Sequence, residues 1–154
     1  MYEQLRLRNQ LCFRFYTVSR LITQTYRPFL ERLGLTYPQY LVMMLLWEQD
    51  GQPVNDIAKT LMLETNTVTP LLKRMEEDGL VTRRRGEKDA RQVLVHLTDK
   101  GRKMEAEAAV VPIGMGERFT CCDVSPEKAA ELYPILDSMI SALQSGLENP
   151  SQGC

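Results

Sequence analysis

Val54-Asn55-Asp56-Ile57-Ala58-Lys59-Thr60-Leu61, then Leu63-Glu64-Thr65-Asn66, then Thr67-Val68-Thr69-Pro70-Leu71-Leu72-Lys73-Arg74-Met75-Glu76-Glu77-Asp78-Gly79 is the stretch on which the fold turns. Its first segment predicts a short helix with Ile57, Ala58 and Leu61 inward. The second segment is a polar break. The third predicts a helix over 67–78, with Val68, Leu71, Leu72 and Met75 on one face and Gly79 at its end. Pro70 conflicts with that helix unless the helix starts late, because proline removes a backbone donor.

After Gly79 the period changes. Leu80-Val81-Thr82-Arg83-Arg84 is short and extended, and Gln92 to Leu97 alternates with Val93, Val95 and Leu97 on one face. The polar run Arg85-Gly86-Glu87-Lys88-Asp89-Ala90-Arg91 between them predicts a hairpin with a charged tip. Two short helices across a tight turn, followed by such a hairpin, read as a winged helix-turn-helix. The second helix is narrow enough to enter the DNA major groove, and the hairpin tip reaches the neighbouring minor groove. Charge agrees: from Pro70 to Lys103 there are ten basic and six acidic residues, a local +4 in a chain of net charge -1. Thr65 and Asn66 in the polar break and Thr67, Thr69, Lys73 and Arg74 on the second helix are the candidate DNA contacts, with Arg84, Arg85, Lys88, Asp89 and Arg91 on the hairpin. Glu76 and Glu77 are expected to matter less than Thr67, Thr69 or Lys73.

Working outward, Leu11, Phe15, Val18 and Ile22 recur at helical spacing from about Asn9 to Tyr26, and Pro28 and Gly34 are expected to end that region. Thr36-Tyr37-Pro38-Gln39 is a capping-box pattern ahead of a buried helix from Tyr40 to Glu48, and Asp50-Gly51-Gln52-Pro53 is a turn. Thr98 and Asp99 are candidate caps for a helix from Lys100 to about Val111, which Pro112 and Gly114 are expected to stop. Ser125-Pro126 opens a last helix with Ala129, Leu132, Tyr133, Leu136, Met139, Ile140, Leu143 and Leu147 inward. Pro134 is expected to kink it, and the tail from Asn149 to Cys154 is expected to be mobile. The fold class is therefore mainly α, a winged helix-turn-helix over 35–111 with dimerisation helices over 1–34 and 112–148. The terminal helices carry more apolar positions than a lone winged helix covers, which predicts an obligate homodimer.

The chain has 154 residues, 44% of them hydrophobic, which suits one ordinary core. A charged fraction of 25% argues against a disordered polyelectrolyte. The longest apolar run, Leu41 to Trp47, is too short to cross a bilayer, and the N-terminus lacks the basic-then-apolar order of a signal peptide. These point to a cytoplasmic protein with no membrane partner. In a reducing compartment Cys12, Cys121, Cys122 and Cys154 read first as free, buried thiols. They lack CxxC spacing, and His96 has no nearby ligand, so neither a metal site nor a cofactor is expected.

Asp89-Ala90-Arg91 followed by Val93-Leu94-Val95-His96-Leu97-Thr98 resembles the wing signature of the MarR family of dimeric repressors. Arg91 matches that family's minor-groove arginine, and Asp89 the acid that holds the basic side chains of the wing. Asn9-Gln10-Leu11-Cys12-Phe13, Leu35-Thr36-Tyr37-Pro38-Gln39-Tyr40-Leu41 and the Thr67–Glu76 run resemble, more narrowly, the organic-hydroperoxide resistance regulators. The likeness covers most of the chain and weakens after about Pro112. It implies that Cys12 is a redox sensor. It also implies that Tyr16 from the same helix, and Tyr26 and Tyr37 from the partner subunit, hydrogen-bond its sulfur. A first-turn position would favour the thiolate on physical grounds. Some members of the branch carry one further cysteine near Cys121 and Cys122 that resolves the sulfenic acid between subunits, while others use a small external thiol. A vicinal pair departs from the single cysteine.

The leading expectation is a homodimeric repressor that releases a pseudo-palindromic operator in double-stranded DNA when an organic hydroperoxide, the inducer, oxidises Cys12. The alternative is a MarR-type regulator switched by non-covalent binding of a small aromatic ligand. A thiol peroxidase would leave the helix-hairpin region unexplained, so an enzyme is not expected. A metalloid sensor built on Cys121 and Cys122 lacks supporting ligands.

Overall fold

The computed structural model describes residues 2–86, 91–122 and 124–148, and the chain divides into two units, Met1–Val111 and Pro112–Cys154. In the first unit, two 3-10 turns, Glu3–Leu5 and Leu7–Asn9, lead into α1 (Leu11–Leu33). This helix outruns its predicted end at Tyr26. Pro28 lies inside it on an exposed position, where the lost donor is a single bond in a long ladder. Gly34 does end it, at φ 67°, and the Leu35 N–H closes back on the Leu30 carbonyl at 3.0 Å.

The capping box forms as expected. Gln39 Oε1 accepts the Thr36 N–H at 2.8 Å and the Thr36 hydroxyl at 3.0 Å. α2 (Tyr37–Glu48) therefore starts earlier than predicted, with Pro38 in its first turn. Val42, Met43 and Leu46 of α2 sit at the centre of the core.

β1 (Gln52–Pro53) occupies the end of the predicted turn and pairs antiparallel with β3 (Val93–Leu97), which pairs in turn with β2 (Val81–Arg85). The sheet order is β1-β3-β2. Two residues carry no readable alternation, which is why β1 was not predicted. Val95 and Leu97 are buried, but Val93 is exposed because it lies where the hairpin leaves the core.

α3 (Val54–Thr60) matches its prediction, with Ile57 and Ala58 buried. α4 (Thr65–Glu77) begins inside the expected polar break, so Pro70 falls within the helix rather than near its start. Pro70 lies on the exposed face, while Val68, Leu72 and Met75 on the opposite face are fully buried. Burial at roughly 1.5–3 kcal/mol per side chain outweighs one missing helix bond. Gly79, at φ 71°, closes α4, with the Leu80 N–H on the Met75 carbonyl at 2.9 Å.

α5 (Asp99–Ala108) is capped by the Thr98 hydroxyl, which accepts the Gly101 N–H at 3.0 Å. The expected stop at Pro112 and Gly114 is wrong: α6 (Val110–Cys121) follows at once and contains both. Pro112 is the third residue of α6, where a helix has no use for the missing N–H.

In the second unit α7 (Pro126–Glu148) opens where predicted and contains Pro134. Its apolar positions do not point inward within one chain: no α7 residue is buried. The tail 149–154, with Cys154, lies outside the described residues. Among the described residues no helix is long and apolar enough to cross a membrane.

Candidate DNA interface and thiol site

The turn between α3 and α4 is tight because Met62 adopts φ 54° and the Leu63 N–H returns to the Ala58 carbonyl at 2.9 Å. That geometry presents one face of α4 outward. Thr65, Asn66, Thr67, Thr69, Lys73 and Arg74 are all exposed along it. The Thr69 hydroxyl donates to the Thr65 carbonyl at 2.8 Å, and the Thr67 hydroxyl meets Asn66 Oδ1 at 3.3 Å. Lys73 stands 3.9 Å from Glu77, a loose surface pair that leaves its charge available to another anion.

On the wing, Arg84 and Arg85 are exposed at the end of β2, and Arg91 is exposed just before β3. Lys88 and Asp89, predicted at the wing tip, lie outside the described residues. Arg83 differs from its neighbours. Its backbone N–H, Nε and Nη2 all donate to the Glu76 carboxylate, at 2.9, 3.0 and 2.8 Å. The guanidinium bonds first, and the backbone N–H second, hold the Glu76 carboxyl below the usual carboxylate range. The sequence reading grouped Glu76 with Glu77 and missed this. Strand β2 running back beside the last turn of α4 is the signal that could have found it.

A groove of about 270 Å³ lies between the two helices and the wing, lined by residues that include Pro53, Asp56, Thr65, Thr69, Arg83 and Arg91.

The first turn of α5 ties these parts together. The Thr98 hydroxyl donates to the Gly79 carbonyl at 2.7 Å, and Lys100 Nζ donates to the Asp78 carbonyl at 2.8 Å. Arg102 donates to Asp50 Oδ2 at 2.7 Å and to the Leu97 carbonyl at 2.9 Å. Asp50 Oδ1 accepts the Leu97 N–H at 2.8 Å and the Gly51 N–H at 2.9 Å. Burial works against ionising Asp50. The bonds from Leu97, Arg102 and Gly51 outweigh it and hold the carboxyl below its ordinary range.

Cys12 is the second residue of α1, in its first turn, with Gln10 at the N-cap. Cys12, Cys121 and Cys122 are free thiols and all exposed, which corrects the reading of them as buried. Cys121 ends α6 and Cys122 follows it. Tyr16, one turn beyond Cys12, is exposed; its phenol accepts from Arg20 at 3.3 Å, and the guanidinium lies 5.7 Å from its ring centre.

Tyr26 and Tyr37 come together, ring centres 4.9 Å apart, and Tyr40 joins them at 6.0 Å from Tyr26. Burial, then the neighbouring phenols Tyr37 and Tyr40, pushes the Tyr26 phenol up from its ordinary value; burial does the same at Tyr37. Both phenols therefore keep their donor O–H at neutral pH. Tyr26 stands fourteen residues beyond Cys12 on one continuous helix, about 21 Å along its axis. Within one chain Tyr16 lies one turn from Cys12 on the same helix, whereas Tyr26 lies far from it. Tyr40 was missed as a member of the cluster, though its place three residues after Tyr37 puts both on one helix face.

The family model "Transcriptional regulator SarA/Rot" matches residues 24–107, more than half of the chain. The organic hydroperoxide resistance transcriptional regulator of Bacillus subtilis (strain 168) is 40% identical over 141 residues, covering 90% of this chain and 95% of that protein. The chain belongs to the MarR family of transcriptional regulators. Within it, the chain falls on the organic-hydroperoxide resistance regulator branch, and the matched relatives are regulators rather than enzymes. Among solved structures, reduced AbfR bound to DNA is similar at 38% identity, covering 92% of this chain and 96% of that one, with a TM-score of 0.73. Disulfide-formed AbfR is similar at 42% identity, covering 90% and 95%, with a TM-score of 0.61. AbfR is a protein of Staphylococcus epidermidis.

Proposed function

We propose that this MarR-type regulator is a cytoplasmic, homodimeric repressor that holds operator DNA while Cys12 is reduced and releases it when an organic hydroperoxide oxidises Cys12. The observation that carries this reading is the position of Cys12: an exposed thiol in the first turn of a 23-residue helix, one turn from a phenol. The thiolate is the form that attacks peroxide, and an exposed thiol is open to it. The thiolate sulfur attacks the distal peroxide oxygen. The O–O bond breaks, an S–O bond forms, and the alkoxide leaves as an alcohol on taking a proton. Sulfur is oxidised by two electrons and the peroxide is reduced by two.

Residues 1–34 and 112–148 serve as dimerisation helices, and 35–111 as the DNA-binding region. The exposed apolar side chains of α1 and α7 support this division, since a second copy would cover them. In the dimer, Tyr26 and Tyr37 of one subunit donate to Cys12 of the other, while Tyr16 donates within the chain. The 21 Å separation along α1 supports the partner as the source of Tyr26. The exposed face of α4 enters the major groove, with the wing arginines at the minor groove and the two copies of α4 about 34 Å apart. Oxidation shifts α1 and moves the DNA-binding regions off that spacing. That AbfR is known both as a reduced, DNA-bound form and as a disulfide form supports a redox switch of this kind.

Cys121 or Cys122 of the partner resolves the sulfenic acid: its thiol attacks the oxidised sulfur, a disulfide forms and water leaves. Mass spectrometry after one equivalent of cumene hydroperoxide tests the reading. The expected product is a Cys12 peptide joined to the 121–122 peptide, seen as a covalent dimer on a non-reducing gel. That dimer disappears in the Cys121→Ser, Cys122→Ser variant. An unmodified Cys12 would overturn the sensor, and Cys12 carrying only added small thiol would overturn the resolving role.

The groove of about 330 Å³ between α1 and the start of α2, with Leu30, Leu35 and Tyr37 in its walls, supports a second reading, in which a small aromatic ligand between the dimerisation and DNA-binding parts shifts the latter without covalent chemistry. Thiol titration separates the two: a reactive Cys12 favours the first, an inert one the second.

A further inference from the structure

Glu76 spends its carboxylate on a single residue of the neighbouring strand. Three donors of Arg83 converge on it within 3.0 Å, one from the backbone and two from the guanidinium. A backbone bond fixes how far the strand advances along the helix. A two-pronged guanidinium bond fixes how the strand is rolled against it. The contact is half-sheltered, with the Arg83 and Glu76 side chains 25% and 35% exposed, so it is less screened than a surface pair. Arg83 also faces Val95 across the ladder, and Val95 is fully buried. The next two residues along the same strand are the exposed Arg84 and Arg85.

Simple charge counting makes Glu76 unfavourable on a helix that meets DNA, since it cancels one arginine. Removing it would add one positive charge per chain and should tighten binding. The contact geometry argues the opposite. We propose that Glu76 is a positioning residue: acting through Arg83, it sets the wing against α4 so that the recognition face and Arg84 and Arg85 reach DNA together. This rests on the DNA-binding reading above.

The test uses the full-length protein and a duplex that the wild type selects from random-sequence DNA. Binding is measured across a salt series for wild type, Glu76→Gln, the Arg84→Ala, Arg85→Ala pair, and the triple variant, with thermal midpoints alongside. Glu76→Gln should stay folded with a slightly lowered midpoint, weaken binding by about tenfold and flatten the salt slope. The triple variant should bind no more weakly than the arginine pair alone, because a wing without its arginines gains nothing from being placed. Binding by Glu76→Gln that is unchanged or tighter, or additive losses in the triple variant, would overturn the proposal. Should Glu76→Gln fail to fold, Arg83→Lys gives the same test. It keeps the charge and the backbone bond but loses the two-pronged contact, and it should weaken binding in the same non-additive way. A wild type that selects no duplex fails the DNA-binding reading itself, and the proposal with it. A wild type that binds while its variants are unaffected fails only the proposal.

Discussion

The winged-helix region and the terminal helices use similar apolar residues to opposite ends. Between α2 and β3 the chain closes its own core: Met43, Leu46, Ile57, Leu72 and Met75 are inaccessible to solvent. Along α7 the same kinds of residue stand bare, Leu143 at 65% and Leu147 at 83% exposure, and the N-terminal half of α1 shows Leu11, Phe15 and Val18 exposed. One region is complete in a single chain. The other leaves apolar stripes exposed on α1 and on α7, which on the reading proposed above a second copy covers. Stability within the first should depend on that chain alone, and stability of the second on how many copies are present.

Truncation in the two regions is the strongest way to break this contrast. Leu72→Ala should cost about 2–5 kcal/mol at any protein concentration, because its cavity opens in a closed core. The Leu136→Ala, Ile140→Ala pair in α7 should instead give a melting midpoint that rises with protein concentration, as for a weakened assembly. Calorimetry over a hundredfold concentration range checks both. A concentration-independent loss in the α7 variant would mean α7 is not an interface.

Gly101 sharpens the first half. A Cβ there would collide with the Leu80 backbone carbonyl, and the Gly101 carbonyl accepts the Trp47 indole N–H at 2.9 Å. Gly101→Ala should cost roughly 1–3 kcal/mol, an overpacking penalty where backbone rather than a flexible side chain must yield. A thermal midpoint equal to wild type would show that α5 shifts freely against β2.

Arg91→Ala should leave that core untouched yet weaken binding to selected DNA and flatten the salt dependence by about one ion per wing. An unchanged affinity and slope, read by fluorescence anisotropy, would take the wing out of the interface.

Acid gives the smallest effect. Asp50 and Glu76 both titrate lower in the folded chain than in the unfolded one. Their contribution is thus full above the ordinary carboxylate range of about 4 and is lost as pH falls through their lowered native values. Melting midpoints should hold level down to about pH 5 and then fall, more gently in Asp50→Asn. An Asp50→Asn profile parallel to wild type would show that the Asp50–Arg102–Leu97 contact adds nothing.

What was legible in the sequence follows the same division. The helix pair, the hairpin and the capping box at Thr36 were readable because local spacing and local hydrogen bonds set them. Pro28, Pro70 and Pro112 were misread as stops or conflicts. Proline ends a helix only where its ring or missing donor matters, and here two lie on exposed faces and one in a first turn. The exposure of the three described cysteines, the Glu76–Arg83 contact and the Asp50 junction depend on what distant segments bring alongside. Spacing along the chain does not carry that. The positions assigned inward on α7 share one helical face, but none of them is buried.

The most direct test of the redox reading is operator release by the Cys12→Ser variant. Wild type and variant are bound to the same selected duplex and given one equivalent of organic hydroperoxide. Both should bind DNA equally before addition, because Cys12 lies on α1 and not among the proposed DNA contacts. Afterwards the wild type should let go, and the Cys12→Ser variant should stay bound. A variant that releases DNA as readily as wild type would contradict the account.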